Sequence, residues 1–158
     1  MIAAALLALG LSIGALAGVA IAVIWLVRNV KRRKADARSE IERDVLRGRP
    51  AKRLDERAQF FGLQSKGATQ MRGLGTLVLT EEELAFVLWM PHQTIRIPLP
   101  DIVVVDEATS HLGKTVFTPL LRVRWRTAGV EETVAWRVAD PAGWTADLAA
   151  AKAPQSHA

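Results

Sequence analysis

"LLRVRWRTAGVEETVAWRV", residues 120–138, decides how this chain is read. Leu121, Val123 and Trp125 alternate with Arg122, Arg124 and Arg126. A period of two is the signature of a strand with one buried and one wet face. The second half repeats the alternation with Val134, Trp136 and Val138. A turn at Ala128-Gly129 pairs position 123 with 134 and 121 with 136. Both apolar faces then coincide, and Arg126 stands opposite Glu131. A slip of one residue would turn every apolar side chain to the other face, so this agreement specifies a hairpin.

Upstream, the same period recurs in "GTLVLT" (75–80), "LAFVLWM" (84–90), "QTIRIPL" (93–99) and "DIVVVD" (101–106). Leu77 and Leu79 share a face, and Ile95, Ile97 and Leu99 point inward. Pro98 marks an edge or a strand end. Downstream, "DPAGWTADLAAA" (140–151) reads as a helix. Asp140 is a good N-cap, Pro141 suits the first helical position, and Trp144 and Leu148 form one apolar stripe.

Several antiparallel strands followed by one amphipathic helix suggest a bent sheet whose open end the helix plugs. With "KGATQMRGLGTLVLTEEELAFVLW", "IRIPLPDIVVVD", "LLRVRW" and the closing "DPAGWTADLAAA", the layout resembles the pleckstrin-homology-like fold, particularly its bacterial and GRAM-type members. The resemblance is one of pattern and covers 61–151. It implies a mainly-β binding or scaffolding module, a partly open barrel closed by a C-terminal helix, and not an enzyme. Inositide-binding members use a basic motif in the first hairpin. Lys66 and Arg72 are the basic residues of that region here.

The first part of the chain is different. Residues 2–27 carry no charge. As a helix they are about 39 Å long at ~1.5 Å per residue, enough for a tilted transmembrane span. Arg28, Lys31, Arg32, Arg33 and Lys34 follow at once. Positive flanks stay in the cytoplasm, so the expected topology is single-pass in the inner (plasma) membrane, N-terminus out, with the module inside. Gly10, Gly14 and Gly18 are spaced by four, the pattern that lets two such helices pair as a homodimer. The alternative is a signal-like leader, with "ALA" at 15–17 as cleavage site and an extracytoplasmic β-domain.

Residues 28–60 read as a basic, helical juxtamembrane linker, its helix over 30–47 carrying Arg38 and Glu42 as an i, i+4 pair and ended by Gly48 and Pro50. "AKRLDERAQFF" (51–61) reads as a second short piece of it. Residues 152–158 read as a flexible tail.

The net charge is +5. Residues 28–58 hold twelve Lys/Arg against six Asp/Glu, and 59–158 hold nine against ten. The excess is therefore confined to the linker, where it suits anionic lipid headgroups. A nucleic-acid partner is not expected, because its basic footprint would lie on the folded domain.

"ATSHLGKT" (108–115) matches a loose phosphate loop. Such a loop needs a helix starting at Lys-Thr, so that backbone N–H groups face the phosphates. Here "VFTPLLRVRW" follows, which is β-branched and leads into a strand. The better reading is a polar connection between strands, with Ser110, His111 and Lys114 as a candidate recognition loop. No catalytic constellation, cofactor motif or metal set emerges. Cysteine is absent, and His92, His111 and His157 lack helical ligand spacing.

Arg122, Arg124, Arg126 and Arg137 form the most specific surface feature, a candidate site for lipid headgroups or an acidic partner. The plainer reading is a solvated strand face, partly paired with Glu131. The function expected from sequence is non-catalytic: a membrane-anchored module that holds a protein or lipid partner at the membrane surface. A second alternative is an anionic-lipid sensor that uses the arginine row.

Overall fold

A computed structural model describes residues 2–153, with side chains from residue 17 onward. The chain forms two units, 1–36 and 37–158. Helix α1 runs Ile2–Glu40 and is continued by a π-helical turn, Ile41–Leu46. Seven strands follow: β1 Arg53–Leu63, β2 Gly73–Leu79, β3 Glu83–Trp89, β4 His92–Pro98, β5 Ile102–His111, β6 Lys114–Thr127 and β7 Val130–Arg137. Helix α2, Pro141–Lys152, comes last.

The expected transmembrane span over 2–27 is corrected. Among the described residues, no helix is long and apolar enough to cross a membrane. The described apolar stretch, 17–27, would be about 16 Å long at ~1.5 Å per residue, half of a ~30 Å hydrocarbon core. Arg28 then opens the charged run. The side chains of the remainder, 2–16, lie outside the described residues, as do Gly10 and Gly14 of the expected pairing motif. A Cβ added at Gly18 would meet nothing within 4 Å.

The strands form one antiparallel sheet in the order β4-β3-β2-β1-β7-β6-β5, curled into a half-barrel. The β6–β7 hairpin has the register expected from sequence: Leu121 faces Trp136, Val123 faces Val134 and Arg126 faces Glu131. Its turn puts Ala128 at φ 48° and Gly129 at φ 81°. That is the two-residue geometry that suits the right-handed twist of hairpin strands.

Inside the curl lies one large apolar cluster. Phe60, Leu77, Leu79, Leu84, Phe86, Ile97, Leu121, Val123, Val134 and Trp136 belong to it, with Trp144 and Leu148 of α2. Helix α2 lies against β5 and β6. The Asp140 carboxylate accepts from the Gly143 N–H at 3.0 Å, which caps the helix. Arg53 of β1 ties the helix to mid-sheet. It bonds Asp140 at 2.6 Å and Asp147 at 2.5 Å, and its guanidinium lies 5.2 Å from the Trp144 ring centre.

The outer face is covered on one half. Ala37, Ile41 and Val45, each four residues apart, pack on Val78, Ala85, Val87 and Trp89. This explains why "LAFVLW" has no polar residue: β3 is buried on both faces. Glu40 accepts from the Thr94 hydroxyl at 2.5 Å and lies 2.6 Å from His92 Nε2. Arg38 pairs with Glu42 at 3.1 Å, as its spacing predicts, and with Glu56 at 3.3 Å.

Within the 28–60 linker, helical structure runs to Leu46, next to the stop expected at Gly48 and Pro50, but the second short piece is not part of a linker: β1 begins at Arg53. "RLDERAQFF" is thus the middle strand of the sheet, hydrogen-bonded to β2 on one side and β7 on the other. A bulge between Asp55 and Ala58 breaks its alternation. The expected tail lies almost wholly outside the described residues, since α2 extends through Lys152.

Candidate functional site

The arginine row stands on the outer face, but its charge is already matched. Arg122 makes a two-point contact with Asp106 across β5–β6, at 2.8 and 2.6 Å. That bonding, above all, holds the Asp106 carboxyl below the usual carboxylate range. Arg124 and Arg126 share Glu131, at 3.2 and 3.9 Å. Three of the four expected surface arginines are therefore strand-face ion pairs.

Arg137 differs. It is exposed, and among the described residues its side chain has neither ion pair nor hydrogen bond. The register places it beside Gln59 of β1. Arg57 lies two residues earlier on β1 and is likewise exposed and unpaired among the described residues. The two arginines line one open groove of about 610 Å³ with Asp55, Leu74, Pro119 and Pro141. Asp55 is its single carboxylate, and it already accepts from the N–H groups of Arg57 at 2.8 Å and Ala139 at 3.0 Å.

A distortion of β6 builds the groove's rim. Ala108 faces Leu120 and Ser110 faces Thr115, so Thr109 alone stands opposite Val116, Phe117, Thr118 and Pro119. Extra residues in one strand must leave the ladder. Val116 turns back onto a small outer cluster of Phe61, Leu120 and Ala135. Phe117 beside it is fully exposed, at 108% of its reference area. Arg72 lies 4.3 Å over the Phe61 ring, and its neighbour Met71 is 81% exposed. The three arginines of the β-sheet and its β1–β2 loop that have no carboxylate partner thus gather around this bulge.

The expected connection between strands is the β5–β6 hairpin, and its candidate recognition residues Ser110, His111 and Lys114 differ in exposure. Only Ser110 is exposed. His111 is 7% exposed, and its Nε2 lies 2.9 Å from the Gly62 carbonyl oxygen. Burial pushes its pKa down. The Lys114 ammonium donates to the Gln70 carbonyl and, at 3.4 Å, to that of Phe61. Gln70 in turn donates to the Leu63 and Gly67 carbonyls at 2.6 and 2.8 Å and accepts from the Leu63 N–H at 3.0 Å. The "GKT" motif is a hairpin turn, with Leu112 at φ 51° and Gly113 at φ 72°. Its lysine fastens the β1–β2 loop, and no helix follows it to present backbone N–H groups.

A smaller pocket of about 190 Å³ lies between the π-helical turn and the β2–β3 turn. Six of its charged side chains pair off, Arg49 with Glu82, Lys52 with Glu81 and Arg96 with Glu83, and Arg47 donates to the Asp44 carbonyl at 3.2 Å. Among the described residues, no group of three or more His, Cys, Asp or Glu could hold a metal ion.

On α1, Arg28, Lys31 and Arg32 are exposed, and Arg33 and Lys34 are half-buried. Just before them, Ile21, Ile24 and Trp25 are 68, 57 and 66% exposed. Large apolar side chains on every side of one helical stretch thus run directly into a basic cluster.

Sequence reasoning named Arg137, noted Arg72 as a basic residue of the first-hairpin region, and missed Arg57 and Phe117. A signal for Phe117 was present, since "VFTP" interrupts two alternating stretches with an aromatic residue and a proline. No protein-family model matches the chain, and no curated protein matches it in sequence.

Proposed function

We propose that this protein is a non-catalytic binding module that works at an anionic membrane surface, the cytoplasmic face of the inner membrane, and holds a protein or lipid partner there. The observation that carries the reading is the α1 stretch 19–34. Its exposed Val19, Ile21, Ile24, Trp25 and Leu26 lead into Arg28, Lys31, Arg32, Arg33 and Lys34. Exposed apolar residues of this number favour a lipid boundary over water, and tryptophan favours the headgroup level. Each basic residue near an anionic leaflet adds about 1 kcal/mol, so the five together decide between binding and release.

The non-catalytic part of the reading draws support from how the polar groups are used. His111, Lys114 and Gln70 are spent on backbone carbonyls, and Arg122, Arg124 and Arg126 on carboxylates. The strand order and closing helix support a pleckstrin-homology-like module, a fold suited to presenting surfaces. Flotation of the full chain with neutral vesicles and with vesicles containing a third of anionic phospholipid tests the proposal. Binding to the anionic vesicles and little to the neutral ones is expected. Equal partition into both would remove the electrostatic part, and no binding to either would remove the reading.

A further inference from the structure

The sheet's bulge presents an aromatic side chain and unpaired positive charge side by side, and nothing in the packing of the module requires either. Phe117 contributes no buried area, being fully exposed. Arg57 and Arg137 stabilise no carboxylate among the described residues, although every other arginine of the strands has one. We infer that this face is a second membrane-contact site, in which Arg57 and Arg137 cradle a phospholipid phosphate while Phe117 enters the interface between headgroups and acyl chains.

Three observations select a lipid surface over a peptide in the groove. Arginine's planar fork matches phosphate oxygens, and two forks on adjoining strands converge on one groove. Phe117 does not line that groove; it projects from the bulge beside it. A peptide seated in the groove would leave the ring in water, whereas a bilayer offers anionic phosphates and an apolar layer at adjacent depths. Exposed Met71 adjoins Arg72, which lies over Phe61 in the outer cluster that Val116 joins, and adds a second exposed apolar side chain. The site differs from a basic motif within the first hairpin alone, because it joins Arg57 of β1 to Arg137 of β7.

The inference rests on the proposed membrane reading and adds a second point of attachment. Two linked contacts multiply, because the second engages at high effective concentration once the first has formed. They also fix which face of the sheet meets the lipid.

The absence of cysteine from the sequence makes the test direct. Phe117→Cys in the full chain carries a single nitroxide label, and a Val130→Cys label on the β6–β7 turn serves as reference. Vesicles of phosphatidylcholine with a third of phosphatidylglycerol are added. At position 117, accessibility to oxygen should rise and accessibility to a water-soluble nickel complex should fall several-fold, while position 130 stays in water. Arg57→Glu with Arg137→Glu should return the label at 117 to water while α1 keeps the chain on the vesicles. Arg57→Lys with Arg137→Lys should retain part of the insertion, and thermal unfolding of each variant checks that the sheet is intact. A label at 117 that stays in water on vesicle-bound protein overturns the inference. So does insertion that the double charge reversal leaves unchanged. Shielding of the label by poly-glutamate but not by vesicles assigns the face to an acidic protein partner and overturns it equally. A wild-type chain that fails to sediment with these vesicles overturns both this inference and the membrane reading, and is told apart by that sedimentation.

Discussion

His111 Nε2 lies 2.9 Å from the carbonyl oxygen of Gly62, in a site where a side chain on Gly62 would strike Leu112. The imidazole is buried, and burial pushes its pKa below the ordinary value of ~6.5. The hydrogen bond to the Gly62 carbonyl opposes this shift, Arg122 and Lys114 nearby reinforce it, and Glu132 opposes it. The folded state therefore binds fewer protons here than the unfolded state does. Stability should be full above about pH 6.5 and should fall as the pH drops from there toward the depressed value. Urea midpoints measured from pH 7.5 to 5 should show this decline, and His111→Gln should flatten it. An equal slope in the variant would assign the effect elsewhere.

Gly75 has no room for a side chain. A Cβ there would sit 2.4 Å from Phe86 Cζ and 2.4 Å from the Val87 carbonyl oxygen. Backbone cannot move aside as a flexible side chain can, so Gly75→Ala should destabilise by about 1–3 kcal/mol. The expected readout is a lower urea midpoint with an unchanged m value.

Ile41 closes the outer face. It is 2% exposed and belongs to the cluster with Val78, Ala85 and Val87. Ile41→Ala should cost about 2–5 kcal/mol through lost burial and the cavity left behind. Amide exchange should accelerate first in Ala37–Leu46 if this turn opens separately from the sheet.

The arginine row should be a matter of modest stability and not of binding. Asp106 and Arg122 are each about a third exposed, so their coupling in a double-mutant cycle should be about 0.5–1 kcal/mol. Because the Asp106 pKa is lowered in the fold, that contribution is present above about pH 4 and is lost as pH falls below it. Arg124→Glu should leave vesicle binding unchanged. A loss comparable to that of an α1 charge reversal would show the row to be a lipid site after all.

How much of this was legible in the sequence varies by element. The β6–β7 hairpin was readable because its alternation, turn and cross-strand charges agree at every position. Helix α2 was readable from its cap and stripe. The middle strand was not. "RLDERAQFF" is built of good helix formers, Leu54 and Ala58 have helical spacing, and the bulge at Asp55–Ala58 erases the period of two. Its conformation is imposed by β2 and β7 on either side, which is tertiary information. The site followed the same divide. Arg137 lay in a readable strand, Arg57 in the misread one. "VFTP" marks an interruption of the alternation, but that Phe117 is the side chain left exposed follows from the register of β5 against β6, which is tertiary information.

The proposed role of α1 is to bring the chain to anionic membranes through its exposed apolar and basic stretch. The most direct measurement is the partition coefficient of the full chain on phosphatidylcholine–phosphatidylglycerol vesicles, for the wild type and for Lys31→Glu with Arg32→Glu, over a range of salt. Binding should be tight at low salt and should weaken as the screening length falls below about 8–10 Å. Reversing two charges replaces two attractions of about 1 kcal/mol each with repulsions, so the variant should bind at least ~30-fold more weakly at low salt. Partition that neither salt nor charge reversal alters would contradict that role.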